Sequence, residues 1–193
     1  TQTFSKLSAQ KSPSGILAVV KQRKTIIHAA DLKNKFTLCL DGVRDPGNLG
    51  TIIRIADWFG IEHVICSNDT VELYNPKVIQ ASMGSFIRVK LWYTNLDELI
   101  PEAKSLQIPV FGATLKGQNV YLSKHSGEGI IIMGSESHGI SESLLTLLDT
   151  EITIPSKLLA ANSEAQAPID SLNVAVACSI VFAVFASSRG TMN

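Results

Sequence analysis

Five polar residues in this chain have the types and spacing to do chemistry: Asn48, Arg54, Glu136, Ser171 and Asn173. Asn48 and Arg54 are the polar exceptions in and before an apolar run, Ile52, Ile53, Ile55, Ala56 and Phe59, whose helical spacing predicts a core-facing side. The run follows Asp45-Pro46-Gly47-Asn48, which reads as a turn: proline presets one dihedral, and glycine and asparagine tolerate positive φ. Arg54 then stands in the first turns of a helix and Asn48 just before it. Outward-pointing N–H groups there would favour a phosphate or a nucleotide hydroxyl. Glu136, in Gly-Ser-Glu-Ser-His-Gly-Ile-Ser, could serve as acid or base, although a glutamate just before a helix also serves as dipole partner or backbone anchor. Ser171 and Asn173 precede an apolar run and could simply cap a helix. Each signal alone is weak.

The elements that must position these residues alternate in type. Short strands are predicted at Ile16–Val20, Phe36–Leu40, His63–Cys66, Ser85–Val89, Pro109–Phe111, Gly129–Met133 and Glu151–Ile154. Between them lie predicted helices: the run after Asn48, a short one from Pro76, Leu96–Leu106 with Asn95 as cap, one capped by Ser141 with Leu144, Leu145 and Leu148 on one face, and a last one from Leu172. Alternation of this kind, with several continuous β-branched strands, predicts an α/β fold with a parallel sheet covered on both faces. Such sheets bind ligands at the carboxyl ends of their strands. Three predicted strand ends are rich in Gly, Asn, Glu or Ser, namely Asp41–Asn48, Gly134–Gly139 and Pro155–Asn173, and a fourth, Gly112–Gly117, less so. Residues 156–170 read as a loop.

Bulk properties narrow the classes. The 193 residues fit one domain with a short appendage, and 45% hydrophobic against 18% charged residues implies a buried core. The net charge is zero, yet residues 1–35 hold Lys6, Lys11, Lys21, Arg23, Lys24, Lys33 and Lys35 against Asp31 alone, a distribution that suits RNA or DNA as well as a merely solvated surface. Cys39, Cys66 and Cys178 sit in apolar runs without a Cys-x-x-Cys or a Cys/His cluster, which reads as buried thiols in a reducing cytosol. His28, His63, His125 and His138 lack ligand spacing, so no metal is expected. No signal-peptide pattern is visible, and the Val174–Ala186 run is too short for a bilayer, so a cytoplasmic protein with no membrane contact is expected. Neither G-x-G-x-x-G after a strand nor G-x-x-x-x-G-K-[ST] is present, which disfavours an unrelated dinucleotide or P-loop enzyme.

Combination and order strengthen the signals. Asn48–Ala56 (NLGTIIRIA), Gly134–Ser141 (GSESHGIS), and Ile154-Pro155 followed by Ser171–Ala177 (SLNVAVA) resemble the three motifs of the SpoU, or TrmH, family of RNA 2′-O-ribose methyltransferases in the SPOUT superfamily. Asn75–Phe86 and Gly112–Gly117 extend the resemblance, which runs from about Gly15 to Arg189. It implies a parallel-sheet SPOUT domain with a C-terminal trefoil knot over residues 15–193, with residues 1–14 as a linker or the tail of a missing N-terminal RNA-binding domain. It further implies S-adenosylmethionine as cofactor, contacted by Thr114, Leu115, Gly134, Ile154 and Leu172. Lack of a Cβ at Gly134 would let a ligand approach its backbone. The implied catalytic set is Arg54, Asn48, Glu136, Ser171 and Asn173, acting on tRNA or rRNA in a homodimer whose subunits complete each other's RNA sites, with the final helix, Leu172 to Phe185, at the interface. The family assigns Arg54 as base. A guanidinium is almost never neutral, which favours fixing a phosphate and stabilising the developing alkoxide. Ser137 and Ser156 stand where family members commonly have Gly and often have Met, and the loop after Pro155 is longer than usual. These departures keep an RNA-binding homologue with weak or lost catalysis as the alternative.

Overall fold

The computed structural model describes residues 19, 21, 26–123, 127–156 and 171–187. Within them, six strands form one sheet: β1 (Phe36–Asp41), β2 (His63–Cys66), β3 (Lys90–Tyr93), β4 (Val110–Asn119), β5 (Gly129–Gly134) and β6 (Thr150–Thr153). Their order is β3-β2-β1-β5-β4-β6, and every pairing is parallel. The helices are α1 (Pro46–Trp58), α2 (Pro76–Ser82), α3 (Leu96–Ser105), α4 (Glu142–Leu145) and α5 (Val174–Ser187).

The period-2 pleat distributes the buried strands between two cores. Leu38, Leu40, Val64, Cys66, Ile131 and Met133 join a core with Leu49, Ile52, Ile53 and Ala56 of α1 and Cys178, Val181, Phe182 and Phe185 of α5. Cys39, Ile65, Ile130 and Ile132 face the other way, toward Leu99, Ile100 and Ala103 of α3 and Leu144 of α4. Phe36 and Phe111 meet Phe185 edge to face, with centroids 5.3 and 5.2 Å away. Burial of Cys39, Cys66 and Cys178 pushes their thiols well above the ordinary range, as expected of structural cysteines.

Several expectations shift. The turn predicted at Asp45–Asn48 is already helix: Asp45 is the N-cap, its carboxylate accepting from the Asn48 backbone N–H at 2.7 Å. Pro46, Gly47 and Asn48 form the first turn, and neither Gly47 nor Asn48 takes positive φ. The strand expected at Ser85–Val89 is a 3-10 turn over Ser85–Ile87, entered through left-handed Met83 and Gly84, and the true strand starts at Lys90. Ser141 does precede a helix, but one of four residues, and its side chain makes no cap bond. Leu144 is buried there while Leu145 is 37% exposed. Of the expected strand Ile16–Val20 only Val19 is described, and it is exposed and outside any strand. Residues 1–14, His125 and residues 157–170, where a loop is expected, lie outside the described residues.

Candidate functional site

In this strand order the chain leaves β1 toward β2 and leaves β5 toward the opposite edge, so the loops after these two neighbours diverge. That is the switch point at which open parallel sheets bind ligands. A cleft of about 410 Å³ lies there, lined by residues 41–45 after β1, by Ser135–Gly139 and Ser141 after β5, and by Asp69 and Val174. Asp41 and Gly134 are register partners at the ends of the two strands. The Asp41 carboxylate accepts from the Ser141 backbone N–H at 2.7 Å and ties the two loops together.

On this frame three of the five candidate catalytic residues converge. Asn48 Nδ2 donates to Glu136 Oε1 at 2.8 Å; Asn173 Nδ2 donates to the same oxygen at 2.7 Å and to Asn48 Oδ1 at 3.0 Å. The Val174 backbone N–H adds a longer contact to Glu136 Oε1, 3.4 Å. Asn173 Oδ1 accepts from the N–H groups of Ala175 and Val176 at 3.0 and 3.3 Å, so this residue both caps α5 and joins the cluster. Glu136 is indeed a dipole partner, but of α5 rather than of the helix that follows it in sequence. The result is one carboxylate oxygen fixed by side chains 88 and 37 residues away.

Arg54 is elsewhere. Six residues on from Asn48 it is about 9 Å along α1 and about 240° around it. It is exposed and lines a separate groove with Thr51, Ile55, Asp57, Trp58, Phe59, Ser85 and Ser179. It has no hydrogen bond or ion pair among the described residues, whereas nearby Asp57 is held by Arg88, a bidentate pair that keeps the Asp57 carboxyl below its usual range. Ser171 is exposed, two residues before Asn173.

The candidate cofactor residues share one end of three adjacent strands. β4 pairs with β6 at Ala113↔Ile152 and again at Gln118↔Ile152, so residues 114–117 bulge out of the ladder. Thr114 and Leu115 are in that excursion, Gly134 ends β5, and Ile154 follows β6. Thr114 Oγ1 is bonded to Glu151 Oε2 at 2.8 Å, and Leu115 is 61% exposed. Leu172, 46% exposed, sits beside Asn173. Backbone groups freed from the ladder suit a cofactor held by main-chain contacts. The fold itself also requires glycine at 134. A Cβ there would lie 2.0 Å from the Gly139 carbonyl carbon, so its bareness admits the returning loop, whose Ser135 and Gly139 backbones bond each other at 3.1 and 2.8 Å.

The sequence reading gives no site role to Asp41, Arg44, Asp69 or His138, which all line the cleft. Asp41 and Arg44 lie in a strand end that it does single out. Ser67-Asn68-Asp69-Thr70 follows β2 with the same polar signature as the strand ends noted above and could have been counted with them.

Among the described residues there is no group of His, Cys, Asp or Glu placed to hold a metal, and no helix long and apolar enough to cross a membrane. The SpoU rRNA Methylase family model matches residues 35–183. The 23S rRNA (guanosine(2553)-2′-O)-methyltransferase RlmP of Bacillus subtilis is 31% identical over 179 residues, covering 92% of this chain and 67% of that protein. A Coxiella burnetii 23S rRNA (guanosine-2′-O-)-methyltransferase, RlmB, is 30% identical over 86% of this chain and 61% of its own length. The chain thus spans about two thirds or less of the curated relatives' length. The AdoMet-bound rRNA methyltransferase of Sinorhizobium meliloti superposes with a TM-score of 0.74 at 26% identity, covering 90% of this chain and 63% of that one. The match spans β1 through most of α5 and takes in Asn48, Arg54, Glu136, Ser171 and Asn173: the chain belongs to the SpoU family of RNA methylases.

Proposed function

We propose that this chain transfers a methyl group from S-adenosylmethionine to a ribose 2′-hydroxyl of RNA, with ribosomal RNA as the substrate class. The observation that carries the reading is the Asn48–Glu136–Asn173 cluster, which unites the three motifs at the sheet's switch point. The names of the relatives favour ribosomal RNA and, within it, guanosine.

The cofactor supplies an electrophilic methyl on sulfonium. Thr114, Leu115, Gly134, Ile154 and Leu172 hold it, chiefly through backbone groups at the ends of β4, β5 and β6. Glu136, fixed by its amide donors, orients the ribose, with Asn48, Ser171 and Asn173 completing the frame. Arg54 binds a substrate phosphate and stabilises the developing alkoxide, because a group charged at every working pH contributes field rather than proton abstraction. Its groove faces away from the Asn48 cluster of the same protomer, which supports a homodimer in which Arg54 serves the partner's site. Trp58 at 86% exposure, beside Ser179 of α5, supports the same face as the interface. Residues 15–193 are the catalytic domain, and the return of the chain from edge strand β6 to Glu136 at the middle of the sheet accords with a trefoil knot. Ribosomal RNA as substrate implies a cytoplasmic enzyme.

Transfer of tritiated methyl to deproteinised ribosomal RNA tests the reading, alongside calorimetric binding of the cofactor. Transfer with a mapped 2′-O-methyl product is expected. RNA binding with neither transfer nor cofactor binding would overturn it in favour of a non-catalytic RNA-binding homologue.

A further inference from the structure

We propose that Arg44 and His138, on the two loops that wall the cleft between β1 and β5, form a clip for the RNA backbone beside the target nucleotide, and that Asp69 is the positioning residue of that clip. The inference rests on the RNA-substrate reading above.

Arg44 follows β1 and His138 follows β5, and both line the one cleft. Arg44 is 72% exposed, yet it is tethered: Nη2 donates to Asp69 Oδ2 at 2.9 Å. Asp69 is itself held, because Ser67 Oγ donates to Asp69 Oδ1 at 2.7 Å, and Ser67 Oγ also accepts from the Gly42 N–H at 2.9 Å. Ser67 first and Arg44 second keep the Asp69 carboxyl below its usual range, so it stays an anion. The chain of bonds therefore runs from the turn after β1 to the loop after β2 and back to Arg44. An ion pair this exposed adds little to stability. What it fixes is direction: one guanidinium edge is occupied, and the other N–H donors are open to an incoming acceptor.

His138 is fixed comparably. Its backbone N–H donates to Ser135 Oγ at 3.2 Å, and its Nδ1 is 2.7 Å from Ser137 Oγ. Nε2 has no partner among the described residues. In the tautomer in which the Ser137 hydroxyl donates to Nδ1, the neutral ring carries its proton on Nε2, which is then a donor. The rest of the cleft presents the carboxylates of Asp41, Asp45 and Glu136, which repel phosphate. Two pre-oriented donors on an otherwise acidic cleft match a strand whose phosphate stays at the rim while its sugar goes inward. Replacing Ser137 by glycine would leave the imidazole without its side-chain anchor, so Ser137 belongs to the clip.

The test measures binding of deproteinised ribosomal RNA by the full chain at pH 8 over a series of salt concentrations, with cofactor affinity and kcat recorded alongside. R44Q is expected to weaken RNA binding about tenfold and to lower the salt slope by about one unit, without altering cofactor affinity. H138A is expected to weaken binding by a smaller factor with the slope unchanged. D69N is expected to raise the KM for RNA several-fold with kcat retained, and R44K to fail to restore wild-type binding because a lysine lacks the fork that Asp69 orients. RNA affinity and salt slope unchanged in R44Q, with its melting temperature also unchanged, would overturn the clip while leaving the methyl-transfer reading intact. Failure of the wild type to transfer methyl while R44Q still loses RNA affinity would overturn the catalytic reading and leave the clip standing.

Discussion

The two ends of the sheet are both dense in polar contacts, and they are built from different chemistry. At the amino ends of the strands, Lys35, Glu62 and Lys90 form ion pairs around His63 and Trp92: Lys35 reaches Glu62 Oε2 at 3.2 Å, Lys90 pairs with the other carboxylate oxygen, and Trp92 Nε1 donates to His63 Nδ1 at 3.0 Å. Lys35, Glu62, His63 and Lys90 stand just before or at the starts of β1, β2 and β3, and Trp92 reaches back to them from two residues into β3. At the carboxyl ends the Asn48–Glu136–Asn173 cluster has two amides and a single charge, and it joins loops and helix starts rather than strands. The first network clamps the sheet. The second holds a carboxylate in place without neutralising it, which a site that must act on a substrate requires and a clamp does not.

Removing an exposed functional side chain, unlike breaking the clamp, should cost activity without stability. Arg54→Ala is expected to lower methyl transfer about 100-fold or more, since it removes a preorganised charge. An exposed side chain with no partner among the described residues should leave stability within about 0.5 kcal/mol. Initial rates and thermal melts on the same preparation check both halves. Transfer within a few-fold of wild type would remove Arg54 from the mechanism.

Gly134→Ala sharpens the comparison because it places a structural constraint inside the functional end. The new Cβ would lie 2.0 Å from the Gly139 carbonyl carbon and 2.2 Å from the Ile140 nitrogen. Backbone has to move, so a loss of about 2–3 kcal/mol is expected in denaturant unfolding, together with weaker cofactor binding. Unchanged stability would mean the loop does not return over Gly134 as described. Glu136→Gln is expected to be milder: its amide oxygen still accepts from Asn48 and Asn173, but as a neutral group. About a tenfold fall in transfer, with both asparagines retained, would be consistent with weaker neutral hydrogen bonds.

How much of this is legible in the sequence depends on range. β2 is read to the residue, because the apolar Val64–Cys66 follow His63 and end at the polar Ser67–Thr70. Ser85–Val89 is misread because Phe86, Ile87 and Val89 look β-forming, whereas left-handed Met83 and Gly84 redirect the chain and pairing with His63 begins only at Lys90. The motifs name Asn48, Glu136 and Asn173, but no local signal says that one carboxylate oxygen takes both amides. Arg54's separation from them follows from helix phase, a quantity the turn prediction at Asp45–Asn48 obscured. For Asp69 and Arg44 the polar strand ends are legible but the pairing is not: each is an ordinary surface charge until the strand order brings the loops after β1 and β2 together.

The smallest expected effect is on the clamp. His63 is 5% exposed, and burial holds its pKa below the ordinary value of 6.5, with Glu62 opposing and Lys35, Lys90 and Asp31 adding smaller influences of either sign. The Trp92 N–H requires Nδ1 to be an acceptor, so a proton there sets two donors against each other. A base whose folded pKa is depressed binds fewer protons folded than unfolded, and its contribution is therefore complete above about pH 6.5 and is lost as pH falls below it. Glu62, bonded first by Lys90 and then by Lys35, is held down to about 2 from 4.5, so it stays ionised through that window and its own contribution fades only between about pH 4.5 and 2. The melting temperature should therefore decline in two steps on acidification. His63→Gln, which keeps an acceptor for Trp92 without titrating, should remove the first step and leave the second. Both steps surviving in His63→Gln would assign the first to another group. Cofactor affinity at pH 8 should be the same in this variant as in the wild type, because the clamp and the Asn48 cluster are at opposite ends of the strands.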